Sequence, residues 1–317
     1  MQVELHTIAT EFKCWTLVPR LPHMHVLPSS WAFKVKRYPD GSVKKFKARF
    51  CTRGDRRLKG VDYFETWAPV VQWSTIRVVM IITLKLGYCL AECYITAAFI
   101  HAFLPPDEHI YVEQPRRFSK KPNHVLCLNR SLYGLKQATR HFFTYLTDRL
   151  VKHGLQQSHY DPCLFMSSTM IVIVYVDDLL IYAPNDQLIG SFIISMQQDD
   201  ICLHWEGTAE GYLGGDIKTI NGQLHLTQPG LSQRIINALG LCKYSNSCST
   251  PADTAPLPKD SNGDCASGTI NYASVVGMLI CAVTHVQTSP MAFINAHDIH
   301  LPQASVMRKH CSGSVII

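Results

Sequence analysis

Two adjacent carboxylates interrupt an apolar run, Ile171-Val172-Ile173-Val174-Tyr175-Val176-Asp177-Asp178-Leu179-Leu180-Ile181-Tyr182. Burying an unpaired carboxylate is costly, so such a pair needs compensation, and a divalent cation is the natural candidate. If a tight turn falls at the pair, the flanking segments form a hairpin with both carboxylates at its tip. Mg²⁺ prefers one or two carboxylates together with substrate phosphates, which suits such a tip. The competing reading of the same residues is an exposed Asp-Asp turn in an ordinary hairpin.

A second candidate surface is cationic. Between Trp31 and Gly60 there are eleven Lys and Arg against two Asp, within a chain of 317 residues and formal charge +6. Phe33, Tyr38, Phe46 and Phe50 are interleaved with the cations, a composition that fits a nucleic-acid or phosphate-binding face as well as it fits a solvated one. The twelve Cys form no CxxC pair. Cys89 and Cys93, and Cys242 and Cys248, lack a matching Cys/His pair, which argues against zinc and for buried thiols in a reducing setting. No basic start followed by an apolar run marks a signal peptide, and the longest apolar stretch carries two Asp. A cytoplasmic or nuclear protein, neither secreted nor membrane-spanning, is therefore expected.

The elements that position these groups can be read from periodicity. Residues 1–30 read as a lead-in arm. Trp31–Arg37 and Val43–Cys51 read as strands around a Pro39-Asp40-Gly41 turn. Ser74–Leu86 reads as a helix capped by Ser74 and stopped by Gly87, and Cys89–Ile95 as a strand. Apolar residues at helical spacing over Gln137–His153 predict a helix ended by Gly154. Asp161–Ser167 and Met170–Tyr182 read as strands, the second with a polar interruption. Gln187–Gln198 and Gly230–Leu239 read as helices. Tyr212–Thr219 and Gln223–Thr227 read as a hairpin around Asn221-Gly222. Residues 247–268, rich in Ser, Pro, Asp and Thr, read as a linker, followed by a helix at Tyr272–Val283. Strands and helices mix without regular βαβ alternation, so the class is α+β.

Several strings together resemble copia-type retrotransposon reverse transcriptases. They are Tyr175-Val176-Asp177-Asp178; Ser131-Leu132-Tyr133-Gly134-Leu135-Lys136-Gln137; Lys47-Ala48-Arg49-Phe50; Gly60 to Val70; Thr96-Ala97-Ala98-Phe99; and His109 to Pro115. Tyr212-Leu213-Gly214 and Tyr272 to Gly277 extend the resemblance, in family order, over roughly residues 10 to 285. The resemblance implies a right-hand polymerase of fingers, palm and partial thumb. The core would span 31–246, and 269–317 would form a connection-like segment. It implies RNA-directed DNA synthesis on an RNA/DNA template–primer from deoxynucleoside triphosphates, with two Mg²⁺ ions. By position, Asp177 and Asp178 match metal-binding catalytic carboxylates, and Lys47 and Arg49 match cations that face the triphosphate. Tyr133, Gly134 and Gln137 match the segment beside nucleotide and template, and Tyr175 lies near the primer end.

The resemblance also predicts a third carboxylate five residues before Phe99, and that residue is Tyr94. A phenol with an ordinary pKa of about 10 is a poor Mg²⁺ ligand. Glu92 shares the face of Tyr94 but lies roughly 6–7 Å along the strand. Metal geometry tolerates about 0.2 Å. Arg117 and Thr139 replace the usual Gly and Pro, and the family pattern fades after Val283. These departures lead to the expectation of a degenerate or truncated reverse transcriptase with impaired nucleotidyl transfer. The alternative is a non-catalytic nucleic-acid-binding remnant.

Overall fold

The apolar run around Asp177 folds back on itself, and the sheet it founds organises the larger of two compact units. In a computed structural model of the chain, residues 1–37, 42–60, 63–118, 121–208, 211–212, 215–220, 223–241 and 271–286 are described. One unit comprises Met1–Thr75 with Leu86–Thr208, and the other Ile76–Lys85 with Ala209–Ile317.

The first unit opens with a short helix α1 (Gln2–His6) and strands β1 (Trp15–Pro19) and β2 (Val26–Leu27). A long ribbon follows, β3 (Ser29–Arg37) with β4 (Val43–Thr52), and then helix α2 (Trp73–Leu86), most of which belongs to the second unit. Next come β5 (Cys89–Ile95), β6 (Tyr111–Val112), β7 (His124–Leu128) and α3 (Ala138–Lys152). The unit closes with β8 (Gln156–Gln157), β9 (Leu164–Met166), β10 (Ile171–Tyr175), β11 (Asp178–Ala183), α4 (Asp186–Gln198) and β12 (Leu203–Thr208). A six-stranded sheet runs β12-β5-β11-β10-β9-β8, and a four-stranded one β1-β7-β6-β2. The arm expected at residues 1–30 is thus integrated, since β1 pairs with β7 from Trp15↔Leu128 to Pro19↔His124.

Period-2 alternation decides which face of the six-stranded sheet is covered. Ala91, Cys93 and Ile95 of β5, Leu179, Ile181 and Ala183 of β11, and Val172 and Val174 of β10 are buried in one cluster with two helices. Those helices supply Phe142, Leu146 and Leu150 from α3 and Ile189, Phe192, Ile193 and Met196 from α4, the i, i+3/i+4 stripes of amphipathic helices. The residues between them on β5 and β11 point to the opposite face, and that is where the candidate chemistry lies. Burial pushes the Cys14, Cys93 and Cys163 thiols up to about 12, which leaves them chemically quiet.

The second unit contains β13 (Gly211–Tyr212), β14 (Gly215–Ile220) and β15 (Gln223–Thr227) in one sheet, and helices α5 (Pro229–Ala238) and α6 (Tyr272–Val286). Leu231, Ile235 and Leu239 pack with Val275 and Ala282 between the two helices.

Three local expectations need correction. Ser74 lies inside α2 rather than capping it, and its hydroxyl donates to Gln72 Oε1. The strand expected at Asp161–Ser167 begins only at Leu164, because Asp161 is spent on a turn. Its buried carboxylate accepts from Gln72 N, Thr75 Oγ and Cys163 N at 3.0, 2.6 and 2.9 Å. The expected Tyr212–Thr219 strand is two strands, β13 and β14. The expected Pro39-Asp40-Gly41 and Asn221-Gly222 turns, the 247–268 linker, and residues 287–317 lie outside the described residues. Among the described residues, no helix is long and apolar enough to cross a membrane.

Candidate active site

The hairpin β10–β11 closes with Tyr175 opposite Asp178, so Val176 and Asp177 are its two loop residues. Val176 adopts φ 56°. A positive φ at the first loop residue suits the twist of a two-residue hairpin. For a β-branched residue it is strained, by about 1–2 kcal/mol. Strain of this kind is characteristic of turns held for function. Asp177 is exposed at the tip, and its carbonyl accepts from Ile95 N at 2.8 Å, which ties the tip to β5.

Strand register then fixes what stands beside the carboxylates. Asp178 pairs with Tyr94 on β5, and Tyr94 pairs with His204 on β12. Directly paired residues of adjacent strands share a face. Tyr175, Asp178, Tyr94 and His204 therefore form one row across four strands, and the Tyr94 and His204 rings stack with centroids 5.1 Å apart at 23°. The next row contains Leu180 and Glu92. A register shift between Trp205 and Gly207 adds Glu206 to the edge strand. Burial, then Glu206 and Asp178, raise the Glu92 carboxyl to about 7. Burial, then Asp177 and Glu206, raise Asp178 to about 6. Four carboxylates thus repel one another around a phenol.

This donor set does not fit a pair of Mg²⁺ ions. Hard divalent cations need oxygen ligands converging on one point. Here the residue that faces Asp178 from β5 is Tyr94, a neutral phenol, and Glu92 is a row away. Among the described residues, no group of three or more His, Cys, Asp or Glu is arranged to hold a metal ion.

The basic stretch becomes an amphipathic ribbon. Pairing of Ala32 with Arg49, Lys34 with Lys47 and Lys36 with Lys45 puts these cations on one face. Phe33, Val35, Phe46 and Ala48 alternate with them on the other, with Phe33 68% and Phe46 76% exposed. Lys47 and Arg49 lie toward the hairpin. Burial, then Arg49 and Lys36, lower the Lys47 amine, while Glu4 and Asp177 oppose that shift. Arg49 stands over the Tyr133 ring at 5.3 Å. Burial first, then Glu4, push the Tyr133 phenol up to about 12, and the field of Asp177 adds to this. Lys47, Arg49, Tyr133 and Asp177 are therefore within one electrostatic neighbourhood, together with Glu4 of α1, whose own carboxyl is raised by burial.

Gly134 follows Tyr133 at φ 88°, and a Cβ there would meet the Thr52 carbonyl oxygen at 2.1 Å. Only glycine permits this approach of turn to strand. The Thr52 amide and hydroxyl both donate to the Tyr133 carbonyl, at 2.8 and 3.3 Å. Gln137, by contrast, is 2% exposed and donates its amide to Glu108. Glu108 also bonds Arg57 at 3.4 Å and His141 at 3.4 Å, and His141 bonds the buried Ser131 hydroxyl at 2.9 Å. Gln137 is enclosed in this network rather than brought to the hairpin tip. The reading of residues alone missed Glu4, Glu108, His204 and Glu206. A strand signal at Leu203–Thr208 would have found the last two, but Gly207 and the bulge obscure its alternation.

The sequence profile of the reverse transcriptase (RNA-dependent DNA polymerase) family matches residues 12–254, and the chain belongs to this family. Its relatives include the retrovirus-related Pol polyprotein from transposon RE1 of Arabidopsis thaliana, 31% identical over 84% of this chain and 18% of the relative. The polyprotein from transposon TNT 1-94 of Nicotiana tabacum is 29% identical over 81% of this chain and 20% of the relative. The Ty1-H Gag-Pol polyprotein of Saccharomyces cerevisiae is 27% identical over half of this chain and 8% of the relative. The chain is thus a copia-like reverse-transcriptase segment that spans about a fifth of the plant relatives' length. A foamy viral protease-reverse transcriptase in complex with double-stranded DNA aligns with TM-score 0.40 and 12% identity, over 84% of this chain and 37% of the other.

Proposed function

We propose that the chain is a right-hand polymerase segment that binds template–primer and deoxynucleoside triphosphate but is impaired in nucleotidyl transfer. In this reading the six-stranded sheet is the palm, the β3–β4 ribbon belongs to the fingers, and the second unit is a partial thumb. Lys47 and Arg49 engage the triphosphate, a fork and a point charge suited to phosphate oxygens. Tyr133 steadies Arg49, and Gly134 lets that turn close on β4. Asp177 and Asp178 retain the hairpin tip beside Tyr175 and the primer end. Gln137 supports the Tyr133 turn from behind through Glu108 rather than touching nucleotide.

The observation that carries the proposal is the row Tyr175–Asp178–Tyr94–His204. The family resemblance calls for a converging carboxylate at this position, and a bulky phenol stacked on imidazole there supports impairment. Loss of an outer partner of a metal ligand already costs about 10–100-fold, and loss of a bridging ligand costs more. The basic face of the ribbon supports retained binding to phosphate backbones.

The test combines primer extension on an RNA template, in Mg²⁺ and in Mn²⁺, with a gel shift across salt concentrations. The expected result is salt-dependent binding without extension. Extension that disappears in Asp177→Asn would overturn the impairment. Binding indifferent to salt would overturn the retained-binding half.

A further inference from the structure

The first unit carries a cavity of about 620 Å³ that contains neither Lys47, Arg49 nor the Asp177 tip. That size falls within the range of small-ligand sites. Its lining divides into three chemical kinds. Arg130 and Arg149 supply guanidinium groups, Phe103 and Tyr145 supply ring faces, and Glu11 and Asp200 supply carboxylates.

The cationic part is preorganised. The Arg130 guanidinium lies 3.7 Å from the Phe103 ring centroid, and its Nη1 donates to the His101 carbonyl at 2.7 Å. Arg149 stands 5.0 Å over Tyr145, its neighbour one helical turn back on α3. Its guanidinium makes no hydrogen bond or ion pair among the described residues. A half-buried guanidinium held on a ring, with its N–H groups unspent, is a receptor for a planar or tetrahedral oxyanion. The aromatic part is fixed too. His101 is buried, stacks on Tyr145 at 6.2 Å, and meets Phe12 edge-on at 4.8 Å.

We propose that this cavity is a second, non-catalytic site for a nucleoside monophosphate, either free or as the end of a strand. The three kinds of lining match the three parts of that ligand. Guanidinium N–H groups take the phosphate, the Phe103 ring, 59% exposed with Arg130 on one face, takes the base by stacking, and carboxylates accept from the base's amino edge. The carboxylates also limit the ligand's charge, because they repel a triphosphate more strongly than a monophosphate. His204 lines the cavity and stacks on Tyr94, so the site adjoins the row that ends at the hairpin.

The test is calorimetric titration of the full chain with four probes: adenosine 5′-monophosphate, adenosine, inorganic phosphate, and a short 5′-phosphorylated oligonucleotide. The monophosphate should saturate below about 10 mM and bind at least about tenfold more tightly than adenosine or phosphate alone. Arg149→Gln should weaken it about tenfold, and the double variant Lys47→Ala/Arg49→Ala should leave it unchanged. Tighter binding of the oligonucleotide than of the free nucleotide would identify a strand end as the source, and equal or weaker binding the free nucleotide. Absence of saturation, phosphate binding as tightly as the nucleotide, or loss only in the Lys47/Arg49 variant would overturn the proposal. Arg149 is half-exposed, and an unchanged melting temperature for Arg149→Gln controls for folding.

Discussion

Replacing Gly134 with alanine tests how the Tyr133 turn is held against β4. Two costs arise. An L-residue at φ 88° is strained by about 1–2 kcal/mol, offset by about 0.5–1 kcal/mol from a stiffer unfolded chain. The new Cβ would also fall 2.1 Å from the Thr52 carbonyl oxygen, a backbone atom that cannot swing aside. Relieving that clash pulls Thr52 from Tyr133 and breaks the amide and hydroxyl hydrogen bonds at 2.8 and 3.3 Å, each contributing about 1 kcal/mol. The total is about 3 kcal/mol. Gly154→Ala is the matched control, because Gly154 has φ 84° but nothing within 4 Å of a Cβ. It carries the backbone strain alone, about 1 kcal/mol. A difference of about 2 kcal/mol in a unit of this size separates the melting temperatures by about 4–8 °C, followed by the fluorescence of its five tryptophans. Triphosphate affinity should fall with Gly134→Ala, since Tyr133 leaves Arg49, and hold with Gly154→Ala. Two variants melting within about a degree of one another would refute the close-approach argument.

Other outcomes follow from buried polar groups. Asp161→Asn turns a donor toward one of three N–H or O–H partners and should destabilise by about 2–3 kcal/mol in urea unfolding. Glu108→Gln removes the carboxylate charge that Arg57, only 5% exposed, Gln137 and His141 all bond, and should destabilise by about 2 kcal/mol by the same measurement. Glu92 gives a pH signature. Its folded carboxyl is raised to about 7 from an ordinary 4.5, so its stabilising contribution is fully present below 4.5 and is lost as pH rises through 7. Since the group is partly exposed, solvent screening reduces the effect to about 1 kcal/mol, and Glu92→Gln should flatten that part of the stability profile between pH 4.5 and 7.

Much of the frame was legible in the residues because local signals agreed with tertiary ones. Cys89–Ile95 alternates cleanly and is β5 with the same bounds, and the helix read at Gln137–His153 is α3 within a residue at either end. The turn at Asp177 could be read only conditionally, since nothing local tells a long strand with a polar break from two paired ones. What was not legible is mostly pairing. Whether Glu92 or Tyr94 faces Asp178 is a matter of register, and register is set by the burial of Ala91, Cys93 and Ile95 against α3 and α4. Gln137 shows the limit from the other side. Its place in a motif suggests exposure to substrate, but the motif also needs a residue to anchor its own turn, and Glu108, remote in sequence, makes Gln137 that residue. Arg117 repeats the lesson in the backbone. It holds φ 69°, the left-handed conformation that glycine adopts freely.

The proposed impairment rests on Tyr94 removing the convergence of carboxylates on which metal binding depends. It is tested most directly by titrating Mn²⁺, by electron paramagnetic resonance, into the chain and into Tyr94→Asp with template–primer present. The native chain should bind weakly, and Tyr94→Asp at least about tenfold more tightly, a gain lost again when Asp177→Asn is added. Equal Mn²⁺ affinity in the native chain and Tyr94→Asp, abolished in both by Asp177→Asn, would contradict it.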